Sequence, residues 1–337
     1  MSIPETTARA LAEAHAVVLL DAYGVLVTGH GVIPGAPEFI RDLDAAGRAY
    51  LVLTNDASKH PTTAVKRYAA WGLMLDASRI ITSGSLLAPY FAQEGLQGAR
   101  TMVMGPPDAE AYAREAGAEV VPLTSVDADV LVVADEAGYP FLETLDHVLS
   151  VVLYRAERGE PMRLVLPNPD LIYPKRKGAG PGPDAASGAR SGPTARGDGW
   201  DGSAGPGPDA ASGARSGPTA RGDGWDGSAG PGPERMEFGI AAGSIARVLE
   251  DALQLRHPGQ EGLRFARLGK PYRAIYEAAL TRTGTMDMVM IGDTLATDIR
   301  GARGFGLAAG LATWGLTGPL PADLPESERP THLVRSF

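Results

Sequence analysis

Several apolar runs in this sequence contain no polar residue until their last position, and each is followed by a segment with helical spacing. AVVLLD (Ala16–Asp21) and AYLVLT (Ala49–Thr54) are two such runs. An unbroken apolar run is typical of a strand that is covered on both faces, as in parallel sheets. Gly35–Ala46 and Pro61–Trp71 follow them and carry apolar residues at helical intervals. The alternation predicts an α/β fold with a parallel sheet and helices on both faces.

The same alternation continues along the chain. Further strands are predicted at Thr101–Gly105, Asp129–Asp135, Arg163–Asn168, Met286–Asp293 and Gly306–Thr313, and further helices at Ser83–Glu94, Phe141–Arg158, Gly243–Leu255, Tyr272–Thr283 and Thr297–Gly304. Ligands of such folds bind beyond the carboxyl ends of the strands. Polar residues at those ends are therefore the first candidates for a functional site.

The composition excludes several classes of protein. The 337 residues carry a formal net charge of −9 without a basic stripe, so we expect no nucleic-acid partner. The chain contains no cysteine, which excludes disulfides and thiolate metal sites and fits a cytoplasmic protein. No apolar run approaches the ~18 residues of a membrane span, so we expect no membrane partner. The N-terminal residues lack the apolar region of a signal peptide.

A tandem repeat interrupts the second half of the chain. Ala179–Ser203 is repeated letter for letter as Ala204–Ser228, and a third copy begins at Ala229. The unit is rich in Gly, Pro, Ala and Ser and cannot bury enough apolar surface to offset the entropy of ordering it. We therefore predict a disordered Gly/Pro-rich insertion at residues 178–233.

Carboxylates close two of the apolar runs. Asp21 ends the first predicted strand. The second ends at Thr54, and Asn55 follows it. Asp293 directly follows MVMIG, and Asp298 lies five residues beyond it. Each aspartate by itself also suits the N-cap of the next helix. Parallel strands bring their carboxyl ends to one edge, however, where carboxylates form the oxygen-rich site that Mg²⁺ prefers. A carboxylate at such a site can act as a nucleophile toward a phosphate ester.

Lys270 is the candidate cation for this edge. It lies in LGKPY (Leu268–Tyr272), directly before a predicted helix that Pro271 can begin. The N-terminus of a helix favours anions, so a lysine at this position suits phosphate binding. The alternative is a solvated surface lysine.

Four segments together resemble motifs of the haloacid dehalogenase superfamily. They are DAYGVLVTG (Asp21–Gly29), VLTND (Val52–Asp56), GKP (Gly269–Pro271) and IGDTLATDIRGA (Ile291–Ala302). Their order and spacing resemble subfamily IIA, the capped phosphatases of small molecules similar to 4-nitrophenylphosphatase. The resemblance implies a Rossmann-like core from residues 1–85 and 239–337, with a C2-type α/β cap from residues 86–238.

The resemblance also implies roles for single residues. It assigns the nucleophile and a Mg²⁺ ligand to Asp21, a second ligand to the Tyr23 carbonyl, phosphoryl binding to Thr54 and Asn55, the bridging cation to Lys270, and the remaining metal chemistry to Asp293 and Asp298. NPDLIYP (Asn168–Pro174) resembles the cap segment that faces the site, so Asn168, Asp170 and Tyr173 are candidate substrate contacts. Plain turn chemistry is the alternative for Asn-Pro-Asp.

Tyr23 departs from the family pattern, because most phosphatases of this kind have an aspartate there that serves as general acid and base. Asp56 and His30 are the nearby candidates to replace it, each with the alternative of a loop residue facing water.

The sequence predicts a Mg²⁺-dependent phosphatase of small phosphorylated metabolites, and a homodimer through the cap. The alternative is a catalytically weak relative that binds a phosphorylated ligand as a sensor or regulator. A nucleotide-binding oxidoreductase is excluded, because DAYGVLVTG lacks the G-x-G-x-x-G spacing.

Overall fold

The computed structural model of the chain describes residues 3–29, 31–175, 237–315, 317–318, 320–321 and 323–337, which belong to one compact unit. The predicted insertion at 178–233 and His30 lie outside these residues. Within the described part the strands are β1 (Glu5–Thr6), β2 (Val17–Asp21), β3 (Val27–Thr28), β4 (Gly31–Val32), β5 (Ala49–Thr54), β6 (Ile80–Thr82), β7 (Arg100–Met104), β8 (Glu119–Val120), β9 (Val130–Val133), β10 (Arg163–Leu166), β11 (Ile172–Lys175), β12 (Glu237–Ile240), β13 (Ala266–Arg267), β14 (Met288–Gly292), β15 (Ala308–Ala312) and β16 (His332–Val334).

The α-helices of the same residues are α1 (Ala8–Ala14), α2 (Ala36–Ala45), α3 (Pro61–Ala70), α4 (Leu87–Glu94), α5 (Pro107–Glu115), α6 (Phe141–Glu157), α7 (Ala242–Arg256), α8 (Arg273–Thr283) and α9 (Arg300–Phe305). A π-helical turn at Leu295–Ile299 leads directly into α9. Short 3₁₀ turns lie at Ala77–Arg79, Gly84–Leu86, Glu261–Leu263 and Glu326–Glu328. Among the described residues, no helix is both long enough and apolar enough to cross a membrane.

The larger sheet has seven strands in the order β1-β16-β15-β14-β2-β5-β6, and all neighbouring pairs are parallel. The chain moves outward from β2 in one direction to β5 and β6, and later from β14 in the other direction to β15 and β16. The strand order therefore reverses between β2 and β14, and a crevice beyond the carboxyl ends of strands is expected at such a point.

Side chains of this sheet alternate between two apolar cores. Val18 and Leu20 pack on one face with residues of α1, α2 and α3, whereas Val17 and Leu19 pack on the other with residues of α4, α8 and α9. Successive residues of a strand point to opposite faces, so a run that is apolar throughout can bury both. The prediction of a parallel α/β sheet with helices on both faces is confirmed.

The second sheet has five parallel strands in the order β13-β10-β9-β7-β8. Helices α6 and α7 cover one of its faces, and α5 packs against the other, where its core is continuous with that of the larger sheet. A separate antiparallel hairpin joins β11 to β12. This α/β layer lies where the cap was predicted, but β13 extends it beyond residue 238. The exact division into core and cap domains stays a prediction.

Candidate active site

Three neighbouring strands of the larger sheet deliver the predicted residues to one edge. β2 ends at Asp21, β5 ends at Thr54, and Asp293 directly follows β14. β2 pairs with β14 on one side and with β5 on the other, with Asp21 level with Leu53. Parallel pairing at this register therefore brings residues that are up to 272 positions apart in sequence to one small area of the surface.

Lys270 bridges two of the carboxylates. Its Nζ donates to Asp21 Oδ1 at 2.6 Å and to Asp298 Oδ1 at 2.7 Å. The lysine side chain is only 3% exposed, and the two carboxylate side chains are 11% and 1% exposed. Charge-assisted hydrogen bonds in such a buried setting are short and strong. The alternative that Lys270 is a solvated surface lysine is therefore wrong, because its ammonium group is buried between the carboxylates of Asp21 and Asp298.

Asp21, Asp293 and Asp298 form a compact cluster. Each offers one carboxylate oxygen within 4.8 Å of the others, and all three residues are buried. Neighbouring glycines leave the room for Asp293: a Cβ on Gly24 would lie 1.9 Å from Asp293 Oδ2, and a Cβ on Gly315 would lie 2.2 Å from Asp293 Cβ. Three carboxylate oxygens this close together form the oxygen-rich site that a divalent cation such as Mg²⁺ prefers.

The π-helical turn orients Asp298. Asp298 Oδ2 accepts a hydrogen bond from Thr294 N at 3.1 Å, and its backbone carbonyl accepts one from Tyr276 Oη at 3.2 Å. Thr294 Oγ1 in turn donates to Asp293 Oδ1 at 3.0 Å. Single π-helical turns occur often at functional sites, where they direct a side chain that a regular helix would place elsewhere. Here the turn directs Asp298 back toward Lys270.

Burial and neighbouring charges shift the pKa values of Asp21 and Lys270. Burial raises the pKa of Asp21 well above its usual range, Lys270 opposes this shift, and Asp298 and Asp293 add to it. Burial alone would lower the pKa of Lys270, but the carboxylates of Asp21 and Asp298 outweigh it and raise the pKa above its ordinary value. Lys270 therefore remains an ammonium ion at neutral pH and offsets part of the anionic charge around Asp21.

Lys270 reaches the site from the second sheet. β13 ends at Arg267, and the next residues run beside the end of β10: Leu268 N donates to Leu166 O at 3.1 Å, and Gly269 N donates to Pro167 O at 2.9 Å. Two sheets thus contribute to one constellation, the larger with the three aspartates and the smaller with the lysine. The two residues of β13 are too short to show any periodicity in the sequence.

Thr54 and Asn55 lie beside this bridge but differ in their contacts. Thr54 is 3% exposed and its Oγ1 accepts a hydrogen bond from Asp56 N at 3.3 Å. Asn55 is 5% exposed and its side chain contacts the backbone of Lys270 and the carboxylate of Asp170. The position of Thr54 suits the predicted phosphoryl contact, whereas both amide hydrogens of Asn55 already have protein acceptors.

The three candidate residues of the predicted cap segment, residues 168–173, differ in their contacts. Asn168 Oδ1 accepts a hydrogen bond from Asp170 N at 3.0 Å, which is the turn that its sequence also allowed. Asp170 Oδ1 accepts one from Asn55 Nδ2 at 2.9 Å, and burial raises the pKa of Asp170 to about 6. Tyr173 is 36% exposed and lies within hydrogen-bonding reach of Glu136. Their predicted roles as substrate contacts stay predictions.

Tyr23 lies two residues after Asp21 with its ring half-buried. Burial first and the nearby Asp56 second raise its pKa above the ordinary value of 10.0. A phenol with a raised pKa is a weak proton donor at neutral pH. Asp56 is no simple replacement, because its Oδ1 accepts hydrogen bonds from Ser58 N at 2.8 Å and Ser58 Oγ at 2.7 Å. These bonds hold Asp56 Oδ1 within its own loop.

Three further charged residues near this edge were not predicted. Lys59 Nζ donates to Ser58 Oγ at 3.0 Å and faces Asp56, Tyr23 and Asp135. Burial raises the pKa of Asp135, and burial together with Asp135 raises the pKa of Glu136 to about 7. A signal was present in the sequence, since DVLVVADE is another apolar run that ends in carboxylates. Its place beside the first motif depends on the packing of the two sheets.

Residues 18–119 match the family described as haloacid dehalogenase-like hydrolase. Residues 267–337 match the family described as HAD-hydrolase-like. The two matches together contain all four motifs, and these motifs meet at the lysine bridge described above. The chain belongs to the haloacid dehalogenase superfamily. The predicted family is thereby confirmed, and the large α/β insert between the second and third motifs agrees with its subfamily IIA.

Relatives of this haloacid dehalogenase-like chain are known by sequence and by structure. An acid sugar phosphatase of Staphylococcus aureus is 24% identical over 164 residues, which are 49% of this chain and 60% of that protein. The chain thus spans less than two thirds of the length of the curated relatives that it matches. The structure of a possible sugar phosphatase from Cytophaga hutchinsonii has a TM-score of 0.68 at 23% identity, and covers 99% of this chain and 98% of its own.

A second solved structure carries a metal. The glycerol phosphate phosphatase of Mycobacterium tuberculosis, in complex with magnesium, has a TM-score of 0.64 at 18% identity and covers 97% of this chain and 75% of its own. At these identities the structural likeness establishes the fold. The two alignments cover 99% and 97% of this haloacid dehalogenase-like chain.

Proposed function

We propose that this chain is a Mg²⁺-dependent phosphatase that hydrolyses small phosphorylated metabolites through an aspartyl-phosphate at Asp21. The supporting observation is the bridge of Lys270 between Asp21 and Asp298, set beside a third buried carboxylate, Asp293. The matched relatives that are named phosphatases support the same class of reaction. The sequence and the site chemistry therefore lead to one proposal.

Asp21, Asp293 and Asp298 are the side chains that would hold the metal, together with the backbone carbonyl of Tyr23. The donor set consists of carboxylate and carbonyl oxygens, the ligands that Mg²⁺ prefers. When bound, Mg²⁺ would neutralise negative charge on the phosphoryl group and on the carboxylates around it. A relative of the same fold was solved with magnesium.

The first half of the reaction uses Asp21 as nucleophile. One Asp21 carboxylate oxygen forms a bond to phosphorus while the ester oxygen–phosphorus bond breaks, and the leaving alkoxide or phenoxide takes a proton from solvent water. Lys270 stays charged throughout and stabilises the negative charge shared by Asp21 and the phosphoryl oxygens. The Thr54 hydroxyl, at the end of the adjacent strand, donates to a phosphoryl oxygen.

The second half regenerates the enzyme. Water attacks phosphorus, the bond from phosphorus to the Asp21 oxygen breaks, and inorganic phosphate leaves with the Asp21 carboxylate restored. Tyr23 contributes little as acid or base because its pKa is raised above 10.0. Esters whose leaving groups need no protonation should therefore react fastest, so we expect aryl phosphates to be better substrates than alkyl phosphates.

Hydrolysis of para-nitrophenyl phosphate with Mg²⁺ tests this proposal. Asp21→Asn keeps the size of the side chain but removes the nucleophile, so kcat should fall by at least about 10³-fold. Asp287→Asn is the matched control, because Asp287 precedes the amino end of β14, at the edge of the sheet opposite the site, where its Oδ1 lies 3.0 Å from His15 Nδ1. Unchanged turnover in Asp21→Asn would refute the mechanism.

A catalytically weak protein that binds a phosphorylated ligand is the second candidate, and Tyr23 is the observation that favours it. Titration calorimetry with a non-hydrolysed phosphonate and turnover assays with para-nitrophenyl phosphate separate the two. Tight, Mg²⁺-dependent binding without turnover would favour the sensor or regulator. Cytoplasmic location, the homodimer through the cap, and the absence of nucleic-acid and membrane partners remain predictions.

A further inference from the structure

The side chain of Asn55 forms two hydrogen bonds with the backbone of Lys270. Asn55 Oδ1 accepts a hydrogen bond from Lys270 N at 2.7 Å, and Asn55 Nδ2 donates to Lys270 O at 2.9 Å. The amide of Asn55 is thus paired with the donor and with the acceptor of a single residue. The donor and the acceptor of a primary amide can pair with the C=O and the N–H of one residue in this way, and two such bonds fix position and orientation together.

The same amide also binds the cap segment. Asn55 Nδ2 donates its other hydrogen to Asp170 Oδ1 at 2.9 Å. Both donors of Asn55 are then occupied by protein acceptors, and the residue is 5% exposed. A phosphoryl oxygen could gain a hydrogen bond from this side chain only if one of these buried acceptors lost its own, which is costly.

The packing around Gly269 depends on Asn55 as well. A Cβ on Gly269 would lie 2.5 Å from Asn55 Oδ1 and 2.7 Å from Pro167 O. The short segment Leu268–Lys270 is therefore held between the backbone that follows β10 and the side chain of Asn55. On the side of the larger sheet, Asn55 supplies the hydrogen bonds that hold the Lys270 backbone.

We infer that Asn55 is a positioning residue for Lys270 and that it does not bind the phosphoryl group. It holds the lysine backbone so that Nζ lies between Asp21 and Asp298, and it connects this arrangement to Asp170 of the cap segment. The catalytic consequence rests on the proposed phosphatase function. The positioning itself rests on the hydrogen bonds and can be tested without turnover.

A double-mutant cycle separates positioning from direct binding. With para-nitrophenyl phosphate and Mg²⁺, Asn55→Ala should lower kcat about 10- to 100-fold, as expected when a catalytic group is displaced by about 1 Å. In a Lys270→Ala background, the same change should cost less than about twofold, because the residue it positions is gone. An equal loss in both backgrounds would show that Asn55 acts on the substrate directly.

Asn55→Asp is the second variant, since it keeps the shape of the side chain and the acceptor for Lys270 N. It removes both donors and places a carboxylate against Asp170, so it should behave like Asn55→Ala if positioning is the role. Gln254→Ala is the matched control: Gln254 also pairs its amide with backbone groups, Gly259 N at 3.1 Å and Gln260 O at 3.0 Å, on the surface of α7. It should leave kcat unchanged.

Crystal structures of Asn55→Ala and Asn55→Asp provide the readout that does not need activity. Lys270 Nζ should no longer lie within hydrogen-bonding distance of both Asp21 and Asp298. A lysine that keeps both contacts would overturn the inference, whatever the kinetics. If the wild-type protein turns over no phosphate ester, the proposed function fails while these structures still decide the role of Asn55.

Discussion

Gly24 lies in the loop that follows Asp21 and packs against Asp293, and two features of its position require the absence of a side chain. Its φ is +87°, and a Cβ would lie 1.9 Å from Asp293 Oδ2. Gly24→Ala should therefore displace the Asp293 carboxylate and lower kcat with para-nitrophenyl phosphate by at least about 10²-fold. Steady-state kinetics at several Mg²⁺ concentrations measure this loss.

Gly72 provides the control for the backbone strain at Gly24. It has the same φ of +87°, with no atom within 4 Å of its Cβ position. An alanine in the left-handed region costs about 1–2 kcal/mol at either position. Gly72→Ala should lose this stability in urea denaturation and keep its activity. Equal activity losses in the two variants would mean that strain, and not contact with Asp293, disables the site.

Glu136 should make stability depend on pH. Burial, and then the nearby Asp135, raise its pKa from 4.5 to about 7 in the folded protein. The folded state therefore holds more protons than the unfolded state between these values, so the free energy of unfolding falls as pH rises through that window. The stabilisation is fully present below about pH 4.5 and lost above about pH 7. Among the described residues, Lys59, Tyr173 and Tyr139 also interact with Glu136.

Glu136→Gln removes this titration. In urea denaturation at pH 5 and pH 7.5, the decrease in the free energy of unfolding should be smaller in the variant by about 1 kcal/mol, after allowance for solvent screening. Glu143→Gln, on an exposed position of α6, should behave like the wild type. An identical decrease in Glu136→Gln and wild type would show that other carboxyls account for the whole pH dependence.

Single residues differ in how far the sequence reveals them. Asp21 and Asp293 could be predicted because each ends an apolar run, and parallel strands share one edge. The role of Asn55 could not, since its partner Lys270 is 215 positions away and is contacted through the backbone. A motif indicates which residues share a site. The hydrogen-bond partners of a side-chain amide such as that of Asn55 depend on how the two sheets pack.

At the scale of elements, α7 fixes β13, the strand that leads into the segment Leu268–Lys270. Glu250 of α7 is 6% exposed, its Oε1 accepts a hydrogen bond from Phe265 N at 2.6 Å, and its Oε2 pairs with Arg267. Glu250 therefore anchors β13, whose chain continues to Lys270. Glu250→Ala would leave a buried N–H without its acceptor and should cost about 2 kcal/mol.

The comparison variant is Glu261→Ala. Glu261 also pairs with an arginine, Arg264, at 3.4 Å, but its side chain is 82% exposed. Exposed ion pairs contribute little, so this change should stay within about 0.5 kcal/mol in the same urea titration. If the two variants lose equal stability, Glu250 is not an anchor and the connection from α7 to Lys270 has no energetic basis.

Element length decides which parts of the fold the sequence predicts. β2, β5, β14 and α6 have five residues or more and show clear patterns, and the structure confirms them. β8 and β13 have two residues each, and pairing with a neighbouring strand defines them. α5 was not predicted, although Pro107 and two acidic residues begin it as helix rules expect.

At the scale of the whole molecule, the order of the chain explains how two sheets build one site. The first two motifs close strands on one side of the larger sheet, the chain then forms most of the second sheet, and it returns through β13 to supply Lys270 before β14. The hairpin of β11 and β12 is the place where the repeats are inserted.

Deleting residues 178–233 tests whether the fold needs the repeats. The hairpin strands pair from Ile172 with Ile240 to Lys175 with Glu237, so both strands are complete on either side of the deletion. Shortening a closing loop from about 60 residues to about five should stabilise the protein by about 2 kcal/mol, since each halving removes about 0.6 kcal/mol of closure entropy. Thermal unfolding should show a higher Tm and turnover of para-nitrophenyl phosphate should persist. A lower Tm would mean that the repeats contribute contacts to the folded protein, and a preserved Tm with lost turnover would mean that the repeats are needed for activity and not for folding.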